Sequence, residues 1–200
     1  RDDVESRGLG DVYKRQAPRE GDERYNFEND DLGFVDTESG ALLKIGMSSE
    51  DVEKLIGAPR TVDRDGFRIY SGIVIKYDDN GNAAQMIVAA GNMEGDDNPN
   101  RFVSPRGVKL STTLDEFKSV YGDEYNEPSQ AAEGDESIKS SAMMAVRYYA
   151  KNGDTFNYLG GSYTKENKPE NDADLIMQTF LFSTETKTVS VMSVGNGTAN

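Results

Sequence analysis

The sequence predicts an α+β protein of two tandem modules, each a short helix packed on a three- to four-stranded antiparallel β-meander. Three observations predict it. A fifteen-residue segment recurs once with its physical roles kept; cap and stop signals frame a helix in both copies; and strand patterns with turn signals follow each copy.

The recurrence runs from Leu43-Lys44-Ile45-Gly46-Met47-Ser48 to Leu55-Ile56-Gly57 and from Val108-Lys109-Leu110-Ser111-Thr112-Thr113 to Val120-Tyr121-Gly122, at a constant offset of 65. Ser48 and Thr113 sit where an N-cap side chain receives an N–H of the first turn, and Asp51 and Glu116 stand three residues on, closing a capping box. Met47 precedes the first cap and can staple onto Val52. Val52, Leu55 and Ile56, like Phe117, Val120 and Tyr121, fall at i, i+3 and i+4, which gives each helix one apolar stripe. Gly57 and Gly122 stop the helices, and Pro59 prevents resumption in the first copy. Two turns of helix do not persist alone in water, so each requires a sheet to pack on.

Strands are predicted at Phe67–Ser71, Ile73–Tyr77 and Ala84–Ala90, the last two joined by Asp78-Asp79-Asn80-Gly81-Asn82. Asn80-Gly81 is the strongest short-range hairpin signal. The second copy offers Met144–Tyr149, Ile176–Phe182 and Thr188–Val194. Its offset rises from 65 to 79 and then to 105, placing 14 inserted residues after Gly122 and 26 more between Tyr149 and Phe180. Phe34-Val35 and Phe102-Val103 can each open a unit with a short extra strand. The predicted boundaries are an N-terminal stretch 1–33, a first module 34–90, a linker 91–101, a second module 102–195 with a long insertion at 150–175, and a tail 196–200. Within the N-terminal stretch, Asp11-Val12-Tyr13-Lys14-Arg15-Gln16 reads as the in-frame translation of a transposon-end sequencing adaptor, so Arg1–Gln16 is expected to be foreign to the natural protein. The following Ala17–Asp31 is polar and acidic and is expected to be poorly ordered.

Composition excludes several chemistries. The chain of 200 residues has no His, Cys or Trp, which removes Ser-His-Asp and Cys-His machinery, thiolate nucleophiles, disulfides and the commonest zinc ligand. A net charge of -14 without a basic cluster argues against nucleic acid. No run approaches the ~20 apolar residues of a membrane span.

The stretch Gly46-Met47-Ser48, Val52 and Gly57-Ala58-Pro59 resembles the signature of the BLIP/BamE-like superfamily, which holds a secreted β-lactamase inhibitor protein and small outer-membrane assembly lipoproteins. Tandem copies of such units also resemble exported lipoproteins of Gram-positive bacteria. The second copy departs from the signature, with Ser111-Thr112-Thr113 in place of Gly-Met-Ser and no proline after Gly122. The resemblance covers about Phe34–Val194. It implies a binding protein rather than an enzyme, located outside the cytoplasm, with a lipidated cysteine expected upstream of the sequence in hand.

No metal site, cofactor or catalytic group is expected. An EF-hand template laid on Asp78 meets Ala83 where Gly is required and Ala89 where Glu is required. Gly95-Asp96-Asp97 and Glu170-Asn171-Asp172 offer only weak cation ligation, and no two carboxylates stand at a defined separation across a cleft, as glycoside hydrolysis demands. Asn196-Gly197-Thr198 matches the short N-glycosylation acceptor.

The candidate binding surface is an exposed sheet face. Alternation is expected to send Phe67, Ile69, Ile73, Ile75 and Tyr77 toward the helix and to leave Arg68, Tyr70, Val74 and Lys76 outside, with Arg147 and Tyr149 on the same face in the second copy. Arg and Tyr are favoured interface anchors. Tyr158 and Tyr163, in the insertion, complete the candidate set. The expectation is a non-catalytic extracytoplasmic binding or scaffold protein whose partner is a protein or cell-envelope component. The alternative is a small-ligand or cation-binding sensor module.

Overall fold

Both predicted helices form, and their ends show why. The computed structural model describes residues 29–89, 98–122, 143–153, 155–160, 164–183 and 185–196. The first 28 residues, including the adaptor-like hexapeptide, most of the predicted linker and the insertion after Gly122, lie outside the described residues. Helix α1 spans Ser49–Ile56 and α2 spans Leu114–Tyr121. Ser48 Oγ accepts the Asp51 N–H at 3.2 Å, and Thr113 Oγ1 accepts the Glu116 N–H at 3.3 Å. Only α2 closes the reciprocal box, because Glu116 Oε2 accepts the Thr113 N–H at 2.8 Å. Asp51 is one methylene shorter, and its carboxylate instead takes the Ser48 hydroxyl and the Lys54 ammonium. Gly57 and Gly122 terminate the helices at φ 84° and 75°, a region that L side chains enter only with strain. Thr113→Ala therefore removes a cap worth about 1 kcal/mol. Ser48→Ala should cost less, since its box is open. Urea unfolding of the two variants side by side checks that order.

The strands are β1 (Gly33–Asp36), β2 (Leu42–Lys44), β3 (Thr61–Val62), β4 (Phe67–Ile69), β5 (Val74–Tyr77), β6 (Ala83–Ala89), β7 (Phe102–Val103), β8 (Met143–Asn152), β9 (Thr155–Gly160), β10 (Leu175–Phe182) and β11 (Val189–Asn196). They do not build the two expected helix-on-meander modules, and the architecture is not tandem α+β. Strands of both halves join in one eight-stranded antiparallel sheet of order β3-β4-β5-β6-β11-β10-β8-β9. Its seam is β6 against β11, from Val191↔Ala89 to Gly195↔Gln85. The protein is thus predominantly β, with only two short helices among the described residues beyond single 3-10 turns. A three-stranded meander leaves a row of unpaired backbone groups on its outer strand. Each half offers such a strand, and pairing the two satisfies both rows.

The short strands predicted to open each half also form, but they pair with one another. A second sheet of order β2-β1-β7 brings β7 of the second half against β1 of the first. Two bidentate ion pairs clamp this contact at its ends. Arg101 Nε and Nη2 donate to Asp36 Oδ1 and Oδ2, both at 3.0 Å, and Arg106 Nε and Nη2 donate to Asp31 at 2.9 and 2.8 Å. The insertion 150–175 carries a strand the sequence reading missed: β9, paired with the extended end of β8.

One core cluster fills the space between the eight-stranded sheet, the helices and the small sheet. Val52 from α1 and Phe117 and Tyr121 from α2 all lie in it. Phe117 stacks on Tyr121 and meets Phe180 and Phe182 at centroid distances of 4.8 and 5.2 Å.

Candidate functional site

The register of each hairpin decides which side chains share a face. In β4 and β5, Phe67 pairs with Lys76, Arg68 with Ile75, and Ile69 with Val74. An odd-numbered residue thus opposes an even-numbered one, and simple counting through the turn assigns one of the two strands to the wrong side. Ile75 is buried in the core, so Arg68 points to the helix side while Phe67, Ile69, Val74 and Lys76 point away. This corrects the predicted division. Continuing across the sheet, Ile75, Met86, Val194, Gln178 and Arg147 oppose one another in turn on the helix side.

The candidate anchors Arg68, Tyr70, Arg147 and Tyr149 therefore do share a face, but it is the covered one. Arg147 is 0% exposed and Tyr149 and Tyr70 are each 1% exposed, which rules out the surface role expected for them. Arg68 is partly exposed and donates to Glu53 of α1 at 2.8 Å, with its guanidinium 4.7 Å from the centroid of the Tyr77 ring. Tyr70 and Tyr77 share a hydrogen bond of 2.8 Å between their hydroxyls. Burial, with that bond second, pushes the Tyr77 phenol well above its ordinary value. Lys76 alone of the set lies on the outer face, 5.2 Å from the centroid of the Phe67 ring. Tyr163 lies outside the described residues.

Around Arg147 the side chains form a buried polar knot. Its Nη1 donates to the Tyr121 carbonyl at 2.9 Å, its Nε donates to the Tyr149 hydroxyl at 3.3 Å, and that hydroxyl donates to Gln178 Oε1 at 3.2 Å. Gln178 Nε2 donates to the Asp31 carbonyl at 3.1 Å. The guanidinium lies between the rings of Tyr121 and Tyr158, with centroids at 5.0 and 4.7 Å, and Tyr158 packs against Tyr149 at 5.4 Å. Burial pushes the Tyr121 phenol up to about 12, and the Tyr149 phenol higher still. Both stay neutral at physiological pH, and the Tyr149 hydroxyl works there as a hydrogen-bonding group. The knot ties the end of α2, β8, β10 and the segment before β1 together. It is a structural element of the core.

The outer face of the eight-stranded sheet is different. Val74, Ile87, Val191, Met177, Leu181, Met144 and Tyr148 lie partly exposed on it, and none belongs to the core cluster. Lys76 is the one charged side chain among the strand residues of this face, although the chain carries a net charge of -14. Val146, Leu175, Thr179 and Ala89 of the same face are buried. Sequence reasoning named Val74 and Lys76 of this face and missed the others. The signal was present: strands with an apolar residue at nearly every position, as β8 and β10 have, are apolar on both faces.

Asp78 Oδ1 accepts the N–H groups of Asn80 and Asn82 at 2.9 and 2.8 Å, so its carboxylate shapes the turn, as the hairpin reading expected. Gly95-Asp96-Asp97 lies outside the described residues, while Asp172 pairs with Lys168 and Asn171 caps a 3-10 turn. Among the described residues no three carboxylates gather to hold a metal. An open groove of about 330 Å³ runs beside Leu110, Ser111, Ser183, Thr188, Val189 and Ser190. No helix of the described residues is long and apolar enough to cross a membrane.

No protein-family model matches the chain, and no curated protein does. A solved structure resembles it: the crystal structure of a DUF4309 family protein (YjgB) from Bacillus subtilis subsp. subtilis str. 168. The TM-score is 0.41 at 14% identity, over 94% of this chain and 91% of that one. A likeness of that degree carries no argument about family or activity.

Proposed function

We propose that this is a non-catalytic binding protein acting outside the cytoplasm, in the manner of an exported lipoprotein, and that it grips a folded protein partner with the outer face of its eight-stranded sheet. The observation that carries the reading is an apolar sheet face, bare of carboxylates among its strand residues, on a molecule that is otherwise strongly acidic. Five strands at about 4.8 Å spacing and about 20 Å length give a face on the order of 500 Å², at the upper end of what monomers expose. The fitting partner has an apolar centre and a basic rim, because the chain that carries the face has a net charge of -14. The extracytoplasmic location rests on the sequence resemblance.

The test substitutes Val191→Lys and Leu181→Gln together, because the two positions oppose one another across β10 and β11 and two lysines there would repel. Both positions are partly exposed, so circular dichroism and the thermal midpoint should hold close to the parent values. The expected outcome is that wild-type bait recovers a defined protein from cell-envelope extract, that recovery weakens as salt rises, and that the double variant recovers at least ~10-fold less. Equal recovery by both baits would remove the sheet face from the proposal.

A further inference from the structure

The eight-stranded sheet ends in two unlike edges. On one side β3 is only two residues long, Thr61-Val62, preceded by Pro59 and Arg60 and followed by Asp63, Arg64 and Asp65. Shortness, proline and flanking charge are the devices that keep an edge from pairing with another chain. On the other side β9 runs for six residues, Thr155-Phe156-Asn157-Tyr158-Leu159-Gly160, with no charge and no proline. It pairs with β8 on one side, and no described strand lies on its other side. In the small sheet the outer strands β2 and β7 have three and two residues. Among the described strands, β9 is therefore the one edge long enough and bare enough to accept another strand.

We propose that β9 pairs antiparallel with β9 of a second copy, joining two eight-stranded sheets edge to edge across a two-fold axis. Three features favour a second copy over a foreign peptide. The strand is uncharged, so placing it against itself opposes no like charges. The far edge at β3 is guarded, so head-to-tail growth is blocked and only the β9 contact remains, which closes as a dimer. An axis perpendicular to the sheet keeps both sets of helices on one side and merges the two outer faces into one. Phe156 and Tyr158 of each copy stay on the covered side, packed against the core cluster. Asn157 is exposed near the middle of the strand, on the outer face, close to its own counterpart. Long-range repulsion between two chains of net charge -14 opposes the contact, so dimerisation should strengthen with salt.

Sedimentation velocity on the full 22.0 kDa chain, across a concentration series and at two ionic strengths, tests this. The wild type is expected to shift from monomer to a species of twice the mass, with a Kd on the order of micromolar, as befits a small edge contact. Asn157→Lys and Asn157→Glu place like charges across the axis, and each alone should weaken dimerisation by ~10-fold or more while leaving circular dichroism unchanged. An equimolar mixture of the two should dimerise again, a recovery that mere damage to the strand does not produce. A wild type that stays monomeric up to about 0.5 mM overturns the proposal. So does a dimer indifferent to both Asn157 variants, or one broken instead by Val191→Lys on the outer face. Partner capture is read separately, with the Val191 and Leu181 variant, so either proposal can fail without the other.

Discussion

Arg147→Ala should destabilise the folded chain by about 3–5 kcal/mol, the usual result of breaking a buried charged network. The side chain is 0% exposed and supplies bonds to the Tyr121 carbonyl and the Tyr149 hydroxyl. Truncation leaves both groups short of a donor in a region water does not reach, and it opens a cavity between the rings of Tyr121 and Tyr158. Arg147→Lys is not a conservative change here, because an ammonium cannot donate in two fixed directions while lying flat between two rings. It should recover part of the loss only. Urea denaturation of the three proteins gives the values directly. An Arg147→Ala variant within ~0.5 kcal/mol of wild type, the range of ordinary surface substitutions, would show that the residue is not embedded as described.

Asp36→Ala is the second large effect, expected at about 3 kcal/mol, toward the lower end for a broken buried pair because Arg101 keeps some contact with water. The carboxylate accepts both arms of Arg101, the Glu38 N–H and the Ser39 hydroxyl. Burial by itself raises the Asp36 pKa; the bonds from Arg101, Ser39 and Glu38 together outweigh it and hold the group below its ordinary value. The sign of the pH dependence follows. A group whose folded pKa is depressed contributes its stability in full above the unfolded value of about 3.9, and loses it as pH falls through the lower folded value. Wild type should therefore lose stability on that acid limb, and the Asp36→Ala variant should show a shallower loss over the same range. Arg101→Ala should be at least as costly as Asp36→Ala, since it strands a buried carboxylate. The double variant should cost less than the two single losses combined, because the residues form one unit. A double variant whose loss equals that combination would show that they act apart.

Much of the local structure was legible in the residues. Ser48 and Thr113 cap the helices at the expected positions, Gly57 and Gly122 end them, and Asn80-Gly81 turns the predicted hairpin. These are contacts between neighbours in sequence, so spacing alone carries them. The binding face was legible only in part. Arg68, Tyr70, Arg147 and Tyr149 share a face as expected, yet the odd register between β4 and β5 turns the first two inward and the pairing of β8 with β10 does the same for the others. A run such as Phe67–Tyr77 cannot disclose that register, because it depends on how many residues the turn consumes. β9 escaped notice for a related reason: its six residues stand in an insertion with no counterpart in the first copy.

Two capped helices, most of the strands, an acidic chain and the absence of histidine and cysteine chemistry follow from the order of residues alone. The union of the two halves in one eight-stranded sheet, the pairing of β1 with β7 and the burial of Arg147 emerge only in the folded chain. The difference lies in range. Caps and turns are satisfied within four or five residues, whereas a strand edge can be satisfied by any other edge, and the choice falls to whichever pairing buries the most apolar surface over the whole chain.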